Sequence, residues 1–259
     1  MGSLFSSSVK NSIESIMFPV PPIGYTESLT NLSYIYFNNK KTACIFYNFN
    51  KKKDINNYII IYSHGNCTDI GRINKFVLKL SNDLSIKVVS YDYASYGLSD
   101  GKPTEKGCIE SICAVYNYLI AKGYTSDNII LYGTSIGTGP TIDLAEKIAM
   151  KGMKLKGVLL QTPYTSIAGI AHNSIETSMN TCSSIIKNLN PFRSIEKIKN
   201  VTSPIIIIHG IKDKVIPYHH AVTLKEANKL AILITIPNAE HNNIERDHYN
   251  IIISCIKIL

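Results

Sequence analysis

Apolar residues along this chain fall into two kinds of run. Short unbroken blocks such as Ile59-Ile60-Ile61 and Ile205 to Ile208 read as strands buried on both faces, because a half-solvated strand would alternate. Between the blocks lie longer stretches with apolar residues at helical spacing. The pattern predicts strands at 32–37, 42–48, 58–63, 87–91, 129–132, 156–160, 205–209 and 232–236, and helices over 69–82, 105–121, 136–150, 218–229 and 244–258. The first two strands, rich in tyrosine and joined by Asn38-Asn39-Lys40-Lys41, read as an antiparallel entry pair. Strands alternating with helices imply an α/β fold: a mostly parallel central sheet with helices on both faces. No internal repeat or linker divides the chain. The expected organisation is a short segment over 1–20, then one α/β domain over 21–259 in which 163–200 interrupts the alternation.

Candidate chemistry sits where strands end. Gly133-Thr134-Ser135-Ile136-Gly137 follows one strand and precedes a helix, the setting that a G-x-S-x-G nucleophile elbow requires. Its glycines permit a tight turn that lifts Ser135 above the sheet and aims the next helix's N-terminus at a reacting oxygen. A serine needs a base, and the base an orienting acid. Asp213, in His209-Gly210-Ile211-Lys212-Asp213, and His241, in Asn238-Ala239-Glu240-His241-Asn242-Asn243, occupy loops after two later strands. Catalytic groups collect at that edge of a parallel sheet. His248 falls inside the final helix, His219 and His220 begin the preceding one, and His209 ends a strand as a packing residue. Oxyanion donors are expected from the backbone N–H of Ile136 and of Asn66, in His64-Gly65-Asn66-Cys67, with Cys67 in reserve as donor and otherwise a small filler. Asp92 reads as a turn-shaping residue outside the triad.

Composition alters this picture little. Of 259 residues, 27 are basic and 19 acidic, for a formal charge of +8, and 45% are hydrophobic. That balance excludes a disordered or fibrous chain. The lysines are scattered, as at Lys40-Lys41 and Lys51 to Lys53, without an aromatic platform, so nucleic acid is not an expected partner. No apolar run approaches the ~18–20 residues of a membrane-spanning helix. The six cysteines, Cys44, Cys67, Cys108, Cys113, Cys182 and Cys255, show no metal-ligand spacing. The start shows no secretory pattern, so reduced thiols are expected, and the sequons at Asn31, Asn66 and Asn200 are chance matches. No metal or cofactor is expected. Met1-Gly2-Ser3-Leu4-Phe5-Ser6 instead fits the acceptor pattern for N-myristoylation at Gly2. One acyl chain holds a membrane only marginally. Phe5, Val9, Ile13, Ile16 and Met17 recur at helical spacing, which suits an interfacial helix and equally a helix docked on the domain's own surface.

Longer matches carry a resemblance. His64-Gly65-Asn66-Cys67-Thr68-Asp69-Ile70-Gly71, Tyr91-Asp92-Tyr93 with Gly97-Leu98-Ser99, Gly101-Lys102-Pro103-Thr104-Glu105, Leu131 to Thr138, Thr202-Ser203-Pro204 and His209-Gly210 with Asp213 resemble the α/β-hydrolase domain-containing protein 17 family of membrane-associated protein depalmitoylases. The resemblance covers roughly residues 17 to 258 and implies an α/β-hydrolase fold with a short cap at 163–200. It implies Ser135 as nucleophile, Asp213 as acid and His241 as base. It also implies an acyl-protein thioesterase acting on S-acylated proteins, peripheral to the cytosolic face of a membrane. Two departures matter: the family's cysteine-rich N-terminus is replaced by the myristoylation pattern, and Ala239-Glu240 precede His241 where the family has glycine before the histidine. The cap's Ile167, Ile170, Ile175, Met179, Ile185 and Ile186 suit either an acyl groove or burial of the cap's own helices. A lysophospholipase or monoacylglycerol-type lipase would use the same triad. A non-catalytic protein that kept the fold is the other alternative, against which the complete triad argues.

Overall fold

The computed structural model describes residues 17–49, 58–174 and 190–259. Gly2, Phe5, Val9, Ile13, Ile16, Lys51 to Lys53, Cys182 and the cap positions Ile175, Met179, Ile185 and Ile186 lie outside them. Among the described residues are eight strands: β1 (Leu32–Phe37), β2 (Lys40–Tyr47), β3 (Ile59–Ser63), β4 (Lys87–Tyr91), β5 (Ile129–Thr134), β6 (Gly157–Gln161), β7 (Ile205–Gly210) and β8 (Ala231–Ile236). They form one sheet in the order β1-β2-β4-β3-β5-β6-β7-β8. β1 and β2 pair antiparallel, β2 is antiparallel to β4, and every later pairing is parallel.

The unbroken isoleucine blocks have a direct structural cause. Strand residues alternate between faces, and both faces of this sheet are covered. Ile59, Ile61, Ile205 and Ile207 join a core on one side, with residues of α2 (Glu105–Ala121), α3 (Thr138–Met150) and α6 (His219–Ala227). Ile60, Tyr62, Ile206 and Ile208 join a second core on the other side, with α1 (Ile70–Leu84), α7 (Ile244–Asp247) and α8 (Tyr249–Ile258). Two short helices, α4 (Ile167–Ser174) and α5 (Ser194–Lys197), bracket the part of 163–200 that lies outside the described residues. Of the apolar face at the chain's start, Met17 is described: it is buried in the first core beside Phe18, whose ring meets Phe192 edge-on at 5.9 Å.

Helix starts follow capping chemistry. Asp69 accepts from the N–H of Arg72 at 3.0 Å and Thr104 from that of Gly107 at 3.0 Å, each satisfying an orphan donor of the first turn. Three expectations shift. The segment expected as one helix over 136–150 begins as a 3-10 turn, Ser135–Gly137, before α3. The helix expected over 218–229 ends at Ala227, because Asn228 leaves helical geometry and its amide donates to the carbonyls of Ile198 and Val201. The segment 244–258 is two helices, since the backbone of His248, at φ −126° and ψ 25°, breaks the repeat without any glycine or proline to announce it. Edge strand β8 is half-covered, leaving Ile232 52% exposed.

This burial contrast sets an expectation for stability. Ile207→Ala, at a fully buried position, lowers unfolding free energy by about 2–5 kcal/mol, whereas Ile232→Ala stays within about 1 kcal/mol. Urea denaturation measures both, and equal losses would contradict the two-faced burial.

Candidate active site

The turn after β5 determines where the chemistry sits. Ser135 has φ 53°, in the left-handed region that costs an ordinary residue roughly 1–2 kcal/mol. Surrounding bonds hold it there: Thr138 Oγ1 donates to the Ser135 carbonyl at 2.7 Å, and Tyr164 Oη donates to the Ile136 carbonyl at 3.0 Å. Gly137 presses so closely on β3 that a Cβ there would lie 2.3 Å from the carbonyl oxygen of Ser63. The sequence folds this way because glycine alone allows that approach.

Asp213 and His241 come from the loops after β7 and β8. Another close approach couples those loops: a Cβ on Gly210 would stand 2.2 Å from the carbonyl oxygen of Ala239. The N–H of Lys212 donates to that same carbonyl at 3.1 Å. Asp213 Oδ1 accepts from the N–H groups of Val215 and Ile216 at 2.9 and 2.8 Å, which leaves Oδ2 to face His241 Nδ1 at 2.7 Å. His241 Nε2 in turn stands 3.0 Å from Ser135 Oγ. The structure thus brings Ser135, His241 and Asp213 into one hydrogen-bonded line. Burial opposes ionisation of Asp213, but His209, His241 and the Ile216 N–H outweigh it and hold the carboxyl well below the usual aspartate range. An ionised Asp213 fixes the proton of His241 on Nδ1 and leaves Nε2 free to accept one from Ser135.

The other sequence candidates find distinct places. Asn66 is anchored by its side chain, donating to the Met17 carbonyl at 3.2 Å and accepting from Tyr96 Oη at 2.7 Å. The N–H of Cys67, the reserve donor, bonds Asn66 Oδ1 at 3.1 Å. Ile136 is buried directly after the serine. Asp92 accepts from the Tyr25 hydroxyl and the Ile70 N–H and lies 3.5 Å from His64 Nε2, so it organises loops and has no part in the Ser135–His241–Asp213 line. His209 is buried, shares its Nε2 with the Ile216 carbonyl at 2.8 Å and lies 3.4 Å from Asp213 Oδ2. His220 lies beside Thr165, its pKa lowered to about 4 by burial, with His219 and His209 adding to the shift. Among the described residues no group of His, Cys, Asp and Glu is arranged to hold a metal ion.

A cavity of about 250 Å³ opens on Ser135 and His241. Gly65, Asn66 and Thr68 form one wall, and Tyr62, Thr134, Gln161, Asn242 and Glu245 form much of the rest. Sequence reasoning passed over this second set. Glu245 lies in a helical pattern and reads as a surface carboxylate, and Tyr62 and Gln161 end strands with no motif around them. The sheet register could have pointed to them, since Thr134 pairs with Gln161 across β5 and β6, and Tyr62 with Tyr132 across β3 and β5.

Comparisons with known proteins identify the family and the fold. Residues 101–253 match the profile of the Prolyl oligopeptidase family. The chain is 38% identical over 190 residues to alpha/beta hydrolase domain-containing protein 17C of Xenopus tropicalis, a match covering 73% of this chain and 57% of that protein. The human protein of the same name is 37% identical over 73% of this chain and 54% of its own length. The chain therefore spans little more than half the length of the curated relatives it matches. Among solved structures, an alpha-beta hydrolase from Vibrio vulnificus superposes with a TM-score of 0.78 at 18% identity, covering 98% of this chain and 95% of that one. Est1E from Butyrivibrio proteoclasticus with ferulic acid bound gives 0.67 at 20% identity, over 87% and 96% of the two chains. Both likenesses concern the fold, which is that of the α/β-hydrolases.

The depressed pKa of Asp213 has a signed consequence for stability. A carboxyl whose folded-state pKa lies below its unfolded value of about 3.9 stabilises the fold above that pH and loses the contribution as pH falls toward the folded value. Asp213→Asn is therefore less stable than the native chain at neutral pH, and the gap narrows as pH falls below about 4. Thermal unfolding across pH 2–7 measures it; a gap that widens toward low pH contradicts the assignment.

Proposed function

This chain belongs to the prolyl oligopeptidase family and is a hydrolase of the α/β fold, and from that premise we propose a serine hydrolase that cleaves acyl thioesters of S-acylated proteins. The observation that carries the proposal is the hydrogen-bonded line from Ser135 Oγ through His241 to Asp213, open to a cavity. The resemblance to the domain-containing protein 17 relatives supports the thioester as the bond cleaved.

The steps follow from positions and charges. His241 Nε2 takes the Ser135 proton as Oγ attacks the thioester carbonyl, and Asp213 steadies the imidazolium that results. Charge developing on the carbonyl oxygen is met by the N–H groups of Ile136 and Asn66, aided by the N-terminal end of the α3 helix. Collapse of the adduct expels the cysteine thiolate, which receives the proton from His241. Water, deprotonated by His241, then attacks the acyl-serine and releases the fatty acid with Ser135 restored. Every proton that leaves Ser135 or water passes through one nitrogen, so the 3.0 Å separation of Oγ from Nε2 is the geometric core of the reading.

The same reading places the protein at the cytosolic face of a membrane, held by a myristoyl group on Gly2. No helix among the described residues is long and apolar enough to cross a membrane.

Three outcomes follow. A fluorophosphonate probe labels the folded protein and fails to label Ser135→Ala, and hydrolysis of a palmitoyl-cysteine peptide falls by at least about a thousandfold in that variant. Unlabelled native protein rejects a serine hydrolase. Given equal concentrations, the palmitoyl peptide is turned over faster than a monoacylglycerol or a lysophospholipid; the reverse order replaces the thioesterase reading with a lipase. Gly2→Ala moves the protein from the membrane to the soluble fraction of expressing cells, and an unchanged distribution rejects the myristoyl tether.

A further inference from the structure

The route of one proton fixes which side of Ser135 the first product leaves from. In the proposed reaction His241 Nε2 hands the proton to the departing atom, so the leaving group exits beside His241. His241 lines the cavity together with Asn242, Glu245, Tyr62, Thr134 and Gln161. Ile73 is the one aliphatic residue among those lining the cavity. An alkyl chain gains little from such walls, whereas a polar group can recover there the hydrogen bonds it gives up in water. At about 250 Å³ the space is smaller than the roughly 300–1,000 Å³ of pockets that enclose a whole ligand, and it suits one part of a substrate.

Glu245 gives this space a sign. Tyr62 Oη donates to Glu245 Oε1 at 3.0 Å, and Gln161 bonds the same carboxyl. Gln161 Oε1 accepts from Tyr132 Oη at 2.6 Å, which turns its amide nitrogen toward Glu245. The carboxyl is thereby oriented by two neutral donors, and no lysine or arginine lines the cavity to neutralise it. Arg246, the next residue, makes a paired contact with Asp247 at 2.7 and 2.9 Å and does not line this cavity. Burial pushes the Glu245 carboxyl above the ordinary glutamate value, an upward shift that the bonds from Tyr62 and Gln161 reduce without cancelling. A lone carboxyl oriented by neutral donors attracts a cation or a hydrogen-bond donor and disfavours an anion.

We infer that Glu245, held by Tyr62 and Gln161, selects the leaving group: the cavity accepts a lysine or arginine side chain carried beside the acylated cysteine and rejects a phosphate-bearing lysolipid. The inference rests on the serine hydrolase reading and narrows its substrate to acyl-cysteines in basic peptide sequences.

The test uses three peptides with the same S-octanoyl cysteine, flanked by lysine, alanine or glutamate, and the same three as O-octanoyl serine esters. The native protein is expected to rank them lysine, alanine, glutamate, with about tenfold in kcat/KM per step, or about 1.4 kcal/mol. Glu245→Gln, which keeps the shape and loses the charge, compresses the lysine-to-glutamate ratio to within about threefold, while Glu245→Asp retains the order. The ratio is internal to each variant, so a general loss of activity cancels. A native protein that turns over all three peptides alike overturns the inference, as does a ranking that survives Glu245→Gln or a lysophospholipid used as well as the lysine peptide. If the thioesters are inert while the serine esters show the ranking, the thioester reading fails and the role of Glu245 stands. If neither set is cleaved, both fail.

Discussion

The contact between Gly137 and the end of β3 constrains everything built around it. With no side chain at 137, the first turn after β5 packs against the Ser63 carbonyl, and Ser135 is forced into a left-handed backbone conformation. A larger residue would push α3 away from the sheet and with it the N–H of Ile136. The strain at one residue is outweighed by the burial of β3 and β5, whose residues are packed on both faces. Ser135 is therefore positioned by strands whose described residues are among the most buried, and its placement derives from core packing rather than from loops.

Asp213 and His241 are positioned differently. They ride on loops after β7 and β8, toward the less covered edge of the sheet, and owe their alignment to the close approach of Gly210 and Ala239 and to the N–H groups of Val215 and Ile216. Two backbone donors occupy one oxygen of Asp213 and leave the other for His241. This division of the carboxylate favours the tautomer of His241 that carries its proton on Nδ1. Glu240, which stands immediately before His241 where the family has glycine, is accommodated because it is exposed, with its N–H donating to Asn243 Oδ1 at 2.8 Å.

Much of this was legible in the sequence, for identifiable reasons. Isoleucine blocks without alternation signal a sheet covered on both faces, and the spacing of Gly133 and Gly137 around Ser135 encodes a turn few other sequences can make. Strand ends placed Asp213 and His241 in adjacent loops. What stayed hidden depends on register and on packing between distant elements. The break at His248 comes from backbone geometry with no residue type to mark it. Glu245 is indistinguishable in sequence from the solvent-facing Arg246 and Asp247 beside it. Its significance arises only when the pairing of β3, β5 and β6 sets Tyr62 and Gln161 alongside it.

The distribution of the Ser135–His241–Asp213 line along the chain carries a consequence for biosynthesis. Ser135 and His241 are separated by 106 positions, while Asp213 and His241 are 28 apart. Contacts so remote in sequence form late, since the loop between them must be ordered first. During translation the serine turn can be complete on β3 and β5 long before residue 241 and the helices that pack behind it have been made. The polypeptide on the ribosome thus carries Ser135 without His241, and the hydrogen-bonded line forms only once the second half of the sheet has closed.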